Sequence, residues 1–222
     1  MDHETKLYLI TPPEIADLGS FVSNLGAVLS TGAVTAVQLR LKRRGEAVSD
    51  VAALAQLADA AVPVIQAAGA VALINDLPDI AAASGADGVH LGQSDMALKE
   101  ARALLGEDAL IGVTCHASRH LAMVAGETGA DYVAFGAFYP TETKDTDQRP
   151  APDILTWWQE TMELPCVAIG GISPQNAAPL VAAGADFLAV SSAVWQHPDG
   201  PAAGVTALKR VIDNTLAECL DP

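Results

Sequence analysis

The sequence predicts an α/β fold, a single (β/α)8 TIM-barrel domain over residues 1–222, and three observations point there. Short aliphatic runs of β character alternate with longer Ala- and Leu-rich segments along the chain. The aliphatic runs are near-continuous, as strands are when both faces of a parallel sheet are covered by helices. A Gly-Ala-Asp triplet recurs at Gly85-Ala86-Asp87, Gly129-Ala130-Asp131 and Gly184-Ala185-Asp186. Each copy sits where a helix should end and a strand begin, with glycine able to take the left-handed conformation that closes a helix.

Eight strands are expected in order, at Lys6 to Thr11, Thr35 to Leu41, Val71 to Asn75, Gly88 to Leu91, Leu110 to Thr114, Tyr132 to Gly136, Cys166 to Gly170 and Phe187 to Ser191. Helical patterns lie between them at Ser49 to Ala61, Met96 to Leu105, Ser118 to Thr128 and Pro174 to Ala183. Ser173 stands as N-cap of the last, with Pro174 at its first helical position. Trp157 and Trp158 fall on the helix before the seventh strand, where helical spacing lets at most one face the core. An open doubly wound sheet is the alternative architecture, but no Gly-x-Gly-x-x-Gly follows the first strand to support a dinucleotide site.

Composition excludes several partners. With 12 Lys+Arg against 27 Asp+Glu the formal net charge is −15, so the chain lacks the extended basic surface that nucleic acid or an anionic membrane requires. Any bound anion has to be captured locally. The first residues show no basic region followed by an apolar one, and no window approaches the roughly 18 apolar residues of a membrane span. The expectation is a cytoplasmic protein, with a homo-oligomer left open. Cys115, Cys166 and Cys219 are odd in number and far apart, which fits reduced thiols better than disulfides or a metal cluster.

Barrels of this kind carry their active sites at the C-terminal ends of the strands, and polar residues converge there. The second strand reads Val37-Gln38-Leu39-Arg40-Leu41-Lys42, an alternation that puts Gln38, Arg40 and Lys42 on one face. Two cations there are a concentrated use of a scarce residue type and invite an anion; the bland alternative is a polar face meeting water. The third strand ends in Asn75-Asp76 and the fourth runs into His90, Gly92, Gln93 and Asp95. The fifth ends Thr114-Cys115-His116, and the sixth leads into Thr141-Glu142-Thr143-Lys144. The seventh and eighth finish at Gly170-Gly171 and Ser191-Ser192, where such barrels commonly present backbone amides and a short helix N-terminus to a phosphate.

Asp76 and Asp95 follow neighbouring strands, so their carboxylates can reach one hard cation through oxygen. Mg²⁺ is the natural candidate, because it binds through one or two carboxylates and lets substrate phosphates complete its shell. The competing structural role is helix capping, by Asp76 before Pro78 and by Asp95 before Met96 to Leu105.

These segments together resemble the family of thiamine phosphate synthases and thiazole tautomerases. The resemblance runs from Leu7-Tyr8-Leu9-Ile10-Thr11 to about Trp195. It includes Gln38-Leu39-Arg40-Leu41-Lys42, Ile74-Asn75-Asp76, Gly88 to Asp95, Gly112-Val113-Thr114, Pro140 to Lys144 and Ile169-Gly170-Gly171-Ile172. The Gln-x-Arg-x-Lys strand favours the synthase branch, since the tautomerase branch tends to lack the pyrophosphate-binding set.

The resemblance implies condensation of 4-amino-5-hydroxymethylpyrimidine pyrophosphate with a thiazole phosphate, carboxylated or not, to thiamine phosphate and pyrophosphate. It implies a dissociative displacement, in which the protein stabilises a leaving group and holds two rings in position. By position it assigns Arg40, Lys42 and Lys144 to the pyrophosphate, with Asn75 sharing that site, and Asp76 and Asp95 to Mg²⁺. Gln38 is expected to orient the aminopyrimidine, and Thr114, where the family more often has Ser, to keep a hydroxyl for pyrophosphate. Thr141 and Thr143 are expected on the thiazole side, and Gly171, Ser191 and Ser192 around the thiazole phosphate. Leu77 is apolar where relatives often carry a polar residue.

Other conspicuous residues take plainer readings. His90 and His116 lie at strand ends without metal-ligand spacing and are expected to pack or to support other groups. Arg43 and Arg44 read as solvated loop charges, and Asp145 to Arg149 as a turn-rich stretch that could close over the site or simply lie on the surface. A thiazole tautomerase, a non-catalytic regulatory barrel and a sugar-phosphate epimerase are the competing functions. The first would not need Arg40, Lys42, Asp76 and Asp95; the second would show an eroded charged mouth; the third would need an acid/base pair.

Overall fold

Among the residues described in the computed structural model, 4–42, 50–141 and 149–220, the alternation resolves into eight strands. They are β1 (Lys6–Ile10), β2 (Val34–Leu39), β3 (Val71–Asn75), β4 (Gly88–Leu91), β5 (Leu110–His116), β6 (Tyr132–Gly136), β7 (Cys166–Ile169) and β8 (Phe187–Val190). Each pairs in parallel with its neighbour in sequence and β8 returns to β1, closing the barrel. Helices α1 (Leu18–Leu29), α2 (Val51–Ala67), α3 (Pro78–Ser84), α4 (Leu98–Leu105), α5 (Arg119–Thr128), α6 (Asp153–Thr161) and α7 (Ala178–Ala182) separate the strands, and α8 (Ser192–Trp195) and α9 (Pro201–Leu220) follow β8.

Two apolar layers result. Outward-facing strand residues such as Leu7, Leu9, Val37, Leu39, Ile74, Val89 and Leu91 pack under the helices and are buried almost completely. Each such Leu or Ile contributes about 2 kcal/mol, so this layer is the main source of stability. The barrel interior is thinner: Tyr8, Ile10, Ala36, Leu73, Tyr132, Ala134, Val167 and Ala189 form its cluster. Small residues make room for rings there. A Cβ on Gly112 would stand 1.9 Å from the Tyr132 ring. Of the tryptophan pair, Trp158 is buried and Trp157 lies half-exposed beneath the Arg119 guanidinium, 4.6 Å from its ring centre.

The recurring triplets have a common job at the barrel floor. Gly85, Gly129 and Gly184 all have positive φ, and the aspartate two residues on reaches back to the preceding strand. Asp87 accepts from the Ala72 amide, Asp131 from Ile111 and Asp186 from Cys166, at 2.7 to 2.8 Å. Each also takes a donor from the helix before that strand: Gln66 for Asp87, Arg102 for Asp131 and Gln159 for Asp186. The strand pairs β3–β4, β5–β6 and β7–β8 are thus stapled alike. Before β2 the corresponding residues are Gly32-Ala33-Val34, and the aspartate is absent.

The elements depart from the sequence expectation where a side chain intervenes. β2 stops at Leu39 because the Arg40 amide donates to Thr11 Oγ1 at 2.8 Å instead of continuing the ladder. α2 begins after Asp50, which accepts from the Ala53 amide, and runs through Pro63 to Ala67 because its buried face of Leu54, Leu57, Ala58, Ala61, Val62 and Ile65 continues past the proline. α4 begins at Leu98, since the Asp95 carboxylate turns back to the Gly92 amide at 2.7 Å and caps nothing. α7 begins at Ala178, preceded by a turn in which Asn176, not Ser173, supplies the side-chain bond.

Candidate active site

Strand alternation sends Gln38, Asn75, His90 and Thr114 to the interior at the C-terminal end of β2 to β5, and all four are buried. Gln38 Nε2 donates to Asn75 Oδ1 at 3.1 Å, while Asn75 Nδ2 is buried without a partner. An unsatisfied buried amide donor costs about 1–3 kcal/mol, which an acceptor from a bound molecule would recover. Next to this pair runs a chain of polar contacts. Tyr8 OH meets Tyr132 OH at 3.0 Å, Tyr132 OH meets His90 Nδ1 at 3.0 Å, and His90 Nε2 meets Thr114 Oγ1 at 2.8 Å. His90 therefore supports the Thr114 hydroxyl. Burial pushes both tyrosine phenols well above their usual range, so they act as neutral hydrogen-bonding groups.

Above this row the charged residues gather. Asp76 follows β3 in left-handed backbone, φ 64, and the N-cap of α3 is Leu77 without a side-chain bond. Helix capping therefore does not explain Asp76. Its Oδ2 instead accepts from Lys42 Nζ at 2.8 Å. The Asp95 carboxylate lies against it; burial first, then the neighbouring Asp76, raises the Asp95 carboxyl above its usual range, opposed by the Gly92 amide and by Lys42. Arg40 comes to the same place: burial lowers its guanidinium and the Asp76 charge works the other way. Its Nη1 donates to Lys42 O at 3.0 Å, and the Thr11 hydroxyl holds its backbone at both ends. Gln93 Nε2 donates to Thr114 O at 2.6 Å, tying the loop after β4 to the end of β5. Among the described residues no three His, Cys, Asp or Glu side chains cluster as a closed cage. The donor set is two adjacent carboxylates beside cations, which fits a hard cation whose shell a phosphate ligand completes.

On the opposite rim, Gly170 and Gly171 both have positive φ, 103 and 62. Ser191 Oγ donates to Thr11 O at 3.4 Å, and exposed Ser192 opens α8. Thr141 is half-buried just after Pro140. His116 ends β5 in left-handed backbone, φ 54. Thr143, Lys144, Arg43 and Arg44, and with them Asp145 to Gln148, lie outside the described residues.

The structure thus brings together Gln38, Arg40, Lys42, Asn75, Asp76, Asp95 and Thr114, with Thr141, Gly171, Ser191 and Ser192 on the loops after β6, β7 and β8. Sequence reasoning missed Tyr8, Tyr132 and Asn176. A near-continuous apolar strand does not say which face is interior, but Gly112, whose missing side chain the Tyr132 ring occupies, was a usable signal.

Comparison with known proteins places the chain in a family. Residues 7–194 match the family model described as thiamine monophosphate synthase. The chain is 55% identical over 209 residues to a thiamine-phosphate synthase of Rhodospirillum centenum, covering 94% of this chain and 98% of that one. It is 54% identical over 210 residues to a thiamine-phosphate synthase of Hyphomonas neptunium, covering 95% of each. Among solved structures it resembles the thiamine phosphate pyrophosphorylase from Pyrococcus furiosus, with TM-score 0.80 and 28% identity over 97% of this chain and 98% of that one.

Proposed function

Since the chain belongs to the thiamine monophosphate synthase family and its activity is accordingly that of a thiamine-phosphate synthase, a transferase of thiamine biosynthesis, we propose how its residues divide the work. The substrates are 4-amino-5-hydroxymethylpyrimidine pyrophosphate and a thiazole phosphate, and the site operates in the cytoplasm. The observation that carries this reading is the setting of Asp76: held in left-handed backbone, capping no helix, and placed between Lys42 and Asp95.

Gln38 and Asn75 receive the aminopyrimidine, the unpartnered Asn75 Nδ2 finding its acceptor there or on the pyrophosphate. Arg40, Lys42 and, from outside the described residues, Lys144 hold the pyrophosphate. Their charges oppose the negative charge that grows on it as the C–O bond breaks, so they act on the transition state more than on the bound substrate. Thr114 offers its hydroxyl to the same group, oriented by His90. Asp76 and Asp95 would hold Mg²⁺, which when bound neutralises charge on the departing pyrophosphate. Gly171, Ser191 and Ser192 take the thiazole phosphate, with Thr141 and Thr143 beside the ring, so the thiazole nitrogen faces the pyrimidine methylene carbon as it loses its leaving group. No side-chain nucleophile is needed, which agrees with a site of cations, carboxylates and amides. A tautomerase has no use for the Lys42–Asp76–Asp95 group.

The test is a coupled assay of the purified protein with both substrates and Mg²⁺, following pyrophosphate release and thiamine phosphate together. Product that a chelator abolishes and that Asp95→Ala and Lys144→Ala each reduce severely is the expected result. Well-folded protein that forms no product refutes the assignment of substrates.

A further inference from the structure

The turn after β7 and the loop after β6 are fastened together by contacts that the reaction outlined above does not use. Asn176 is half-buried and binds that turn through both ends of its carboxamide. Nδ2 donates to Gly171 O at 2.9 Å, and Oδ1 accepts from the Ser173 amide at 2.8 Å. From the other side, Tyr139 OH donates to Asn176 O at 2.7 Å and the Tyr139 amide donates to Gly170 O at 3.1 Å. The approach leaves no room for a side chain. A Cβ on Gly171 would stand 2.3 Å from Pro140 O and 2.9 Å from Tyr139 Cβ, and one on Gly170 would stand 2.3 Å from Ala137 Cβ. Two successive residues in positive-φ backbone make a turn that only glycine adopts readily and that outside bonds must hold.

Holding Gly171 O does more than brace the chain. The peptide unit is planar and trans, so the direction of Gly171 O sets that of the Ile172 N–H on the opposite edge of the same plane. The bond from Asn176 therefore aims a backbone donor away from Asn176. We infer that Asn176 is a positioning residue: with Tyr139 it makes the Gly170–Gly171 turn and the Tyr139-Pro140-Thr141 segment one body, the seat of the thiazole substrate's phosphate and ring. The inference rests on the reading of Gly171 and Thr141 as contacts of that substrate. The seat is assembled from two loops, and neither loop holds its shape without the other. Substitutions in this body act on the thiazole phosphate and leave the pyrimidine pyrophosphate, held by β2 to β5, largely untouched.

Steady-state kinetics with each substrate varied in turn, equilibrium binding of the thiazole phosphate by calorimetry and thermal midpoints should be measured for wild type, Asn176→Ala, Asn176→Asp and Tyr139→Phe. Loss of an aiming hydrogen bond predicts that Asn176→Ala raises KM and Kd for the thiazole phosphate about tenfold and moves KM for the pyrimidine pyrophosphate less than about twofold. Asn176→Asp keeps the acceptor for Ser173 but sets a carboxylate oxygen against Gly171 O, so it should lose as much. Tyr139→Phe should show a smaller rise in the same constants, about threefold, and it decides the matter if the Asn176 variants do not fold. A thiazole phosphate constant that stays put in folded variants overturns the inference, as do equal rises for both substrates, which a general loosening would give. Wild-type protein that neither binds nor uses the thiazole phosphate overturns the functional reading along with it.

Discussion

Asparagine at position 95 separates the charge of a carboxylate from its shape. The Asp95 carboxylate accepts from the Gly92 amide at 2.7 Å, and an asparagine carbonyl can keep that bond while the negative charge disappears. Two carboxylates about 4 Å apart repel by about 4 kcal/mol at an effective dielectric near 20. Lys42, 2.8 Å from Asp76, cancels much of this, and Asp95 is only half-buried, so solvent screens most of the rest. The metal-free Asp95→Asn protein should therefore be as stable as wild type or up to about 1 kcal/mol more stable, a midpoint gain of up to about 3 °C. Its response to Mg²⁺ should change in the opposite sense. With one of the two carboxylates proposed to hold the ion gone, the Mg²⁺ concentration for half-maximal pyrophosphate release should rise by about 100-fold. Wild type should gain thermal stability with added Mg²⁺, as any ligand of the native state confers, and the variant should not over the same range. Asp95→Ala also strands the Gly92 amide and should lose about 1 kcal/mol against Asp95→Asn. Activation of Asp95→Asn at the wild-type Mg²⁺ concentration, with an undiminished thermal shift, would refute the placement of a cation on this residue.

Three predictions concern the rest of the barrel. Burial pushes the thiols of Cys115 and Cys166 up to about 12, while Cys219 is exposed, so a thiol reagent at pH 8 should modify one of the three cysteines until the protein is unfolded. Because the folded values lie above the unfolded value of about 8.5, the neutral thiols' contribution is intact below about pH 8.5. It is lost at about 1.4 kcal/mol per pH unit per thiol as the pH climbs towards 12; Cys115→Ala should flatten that fall in urea unfolding, and an unchanged slope would count against it. Arg102 donates to Gly106 O, Glu107 O, Ala109 O, Gly129 O and Asp131, so Arg102→Ala should cost about 2–4 kcal/mol of stability and leave KM for both substrates unchanged, since this cluster sits at the floor, away from the mouth.

The barrel was legible in the sequence because its signals are local: aliphatic runs, the helical patterns between them and the Gly-Ala-Asp boundaries. Errors arose where a distant partner took over a backbone group. The alternation predicts a second strand as far as Leu41, yet the Arg40 amide finds the Thr11 hydroxyl, 29 residues away. Pro174 reads as the start of a helix, yet Asn176 captures the Ser173 amide and the helix begins at Ala178. In the site, strand alternation brought out Gln38, Arg40 and Lys42, and the ends of successive strands brought Asn75, Asp76, Asp95 and Thr114 within reach of them. The inward course of Tyr8 and Tyr132 was hidden because an interior of this kind is lined from every strand at once, and no single strand reveals which of its two buried faces is the inner one.

The stapled floor also bears on how such a ring can assemble. The three aspartates close contacts over 15 to 29 residues of chain, and short loops are the ones with the smallest entropy of closure. Joining β1 to β8 is a different matter, for Thr5 meets the Ala185 carbonyl across 180 residues. Pairs of strands can therefore gather early and independently, each locked by its own carboxylate, while the seam between the first strand and the last waits for all of them. The pair without such a carboxylate, β1–β2, borders this seam on one side as the stapled β7–β8 does on the other, and it is also the pair that delivers Gln38, Arg40 and Lys42. The cationic side of the mouth, reached from β2, thus lies next to the last joint to close, and the mouth takes its final form only when the ring itself does.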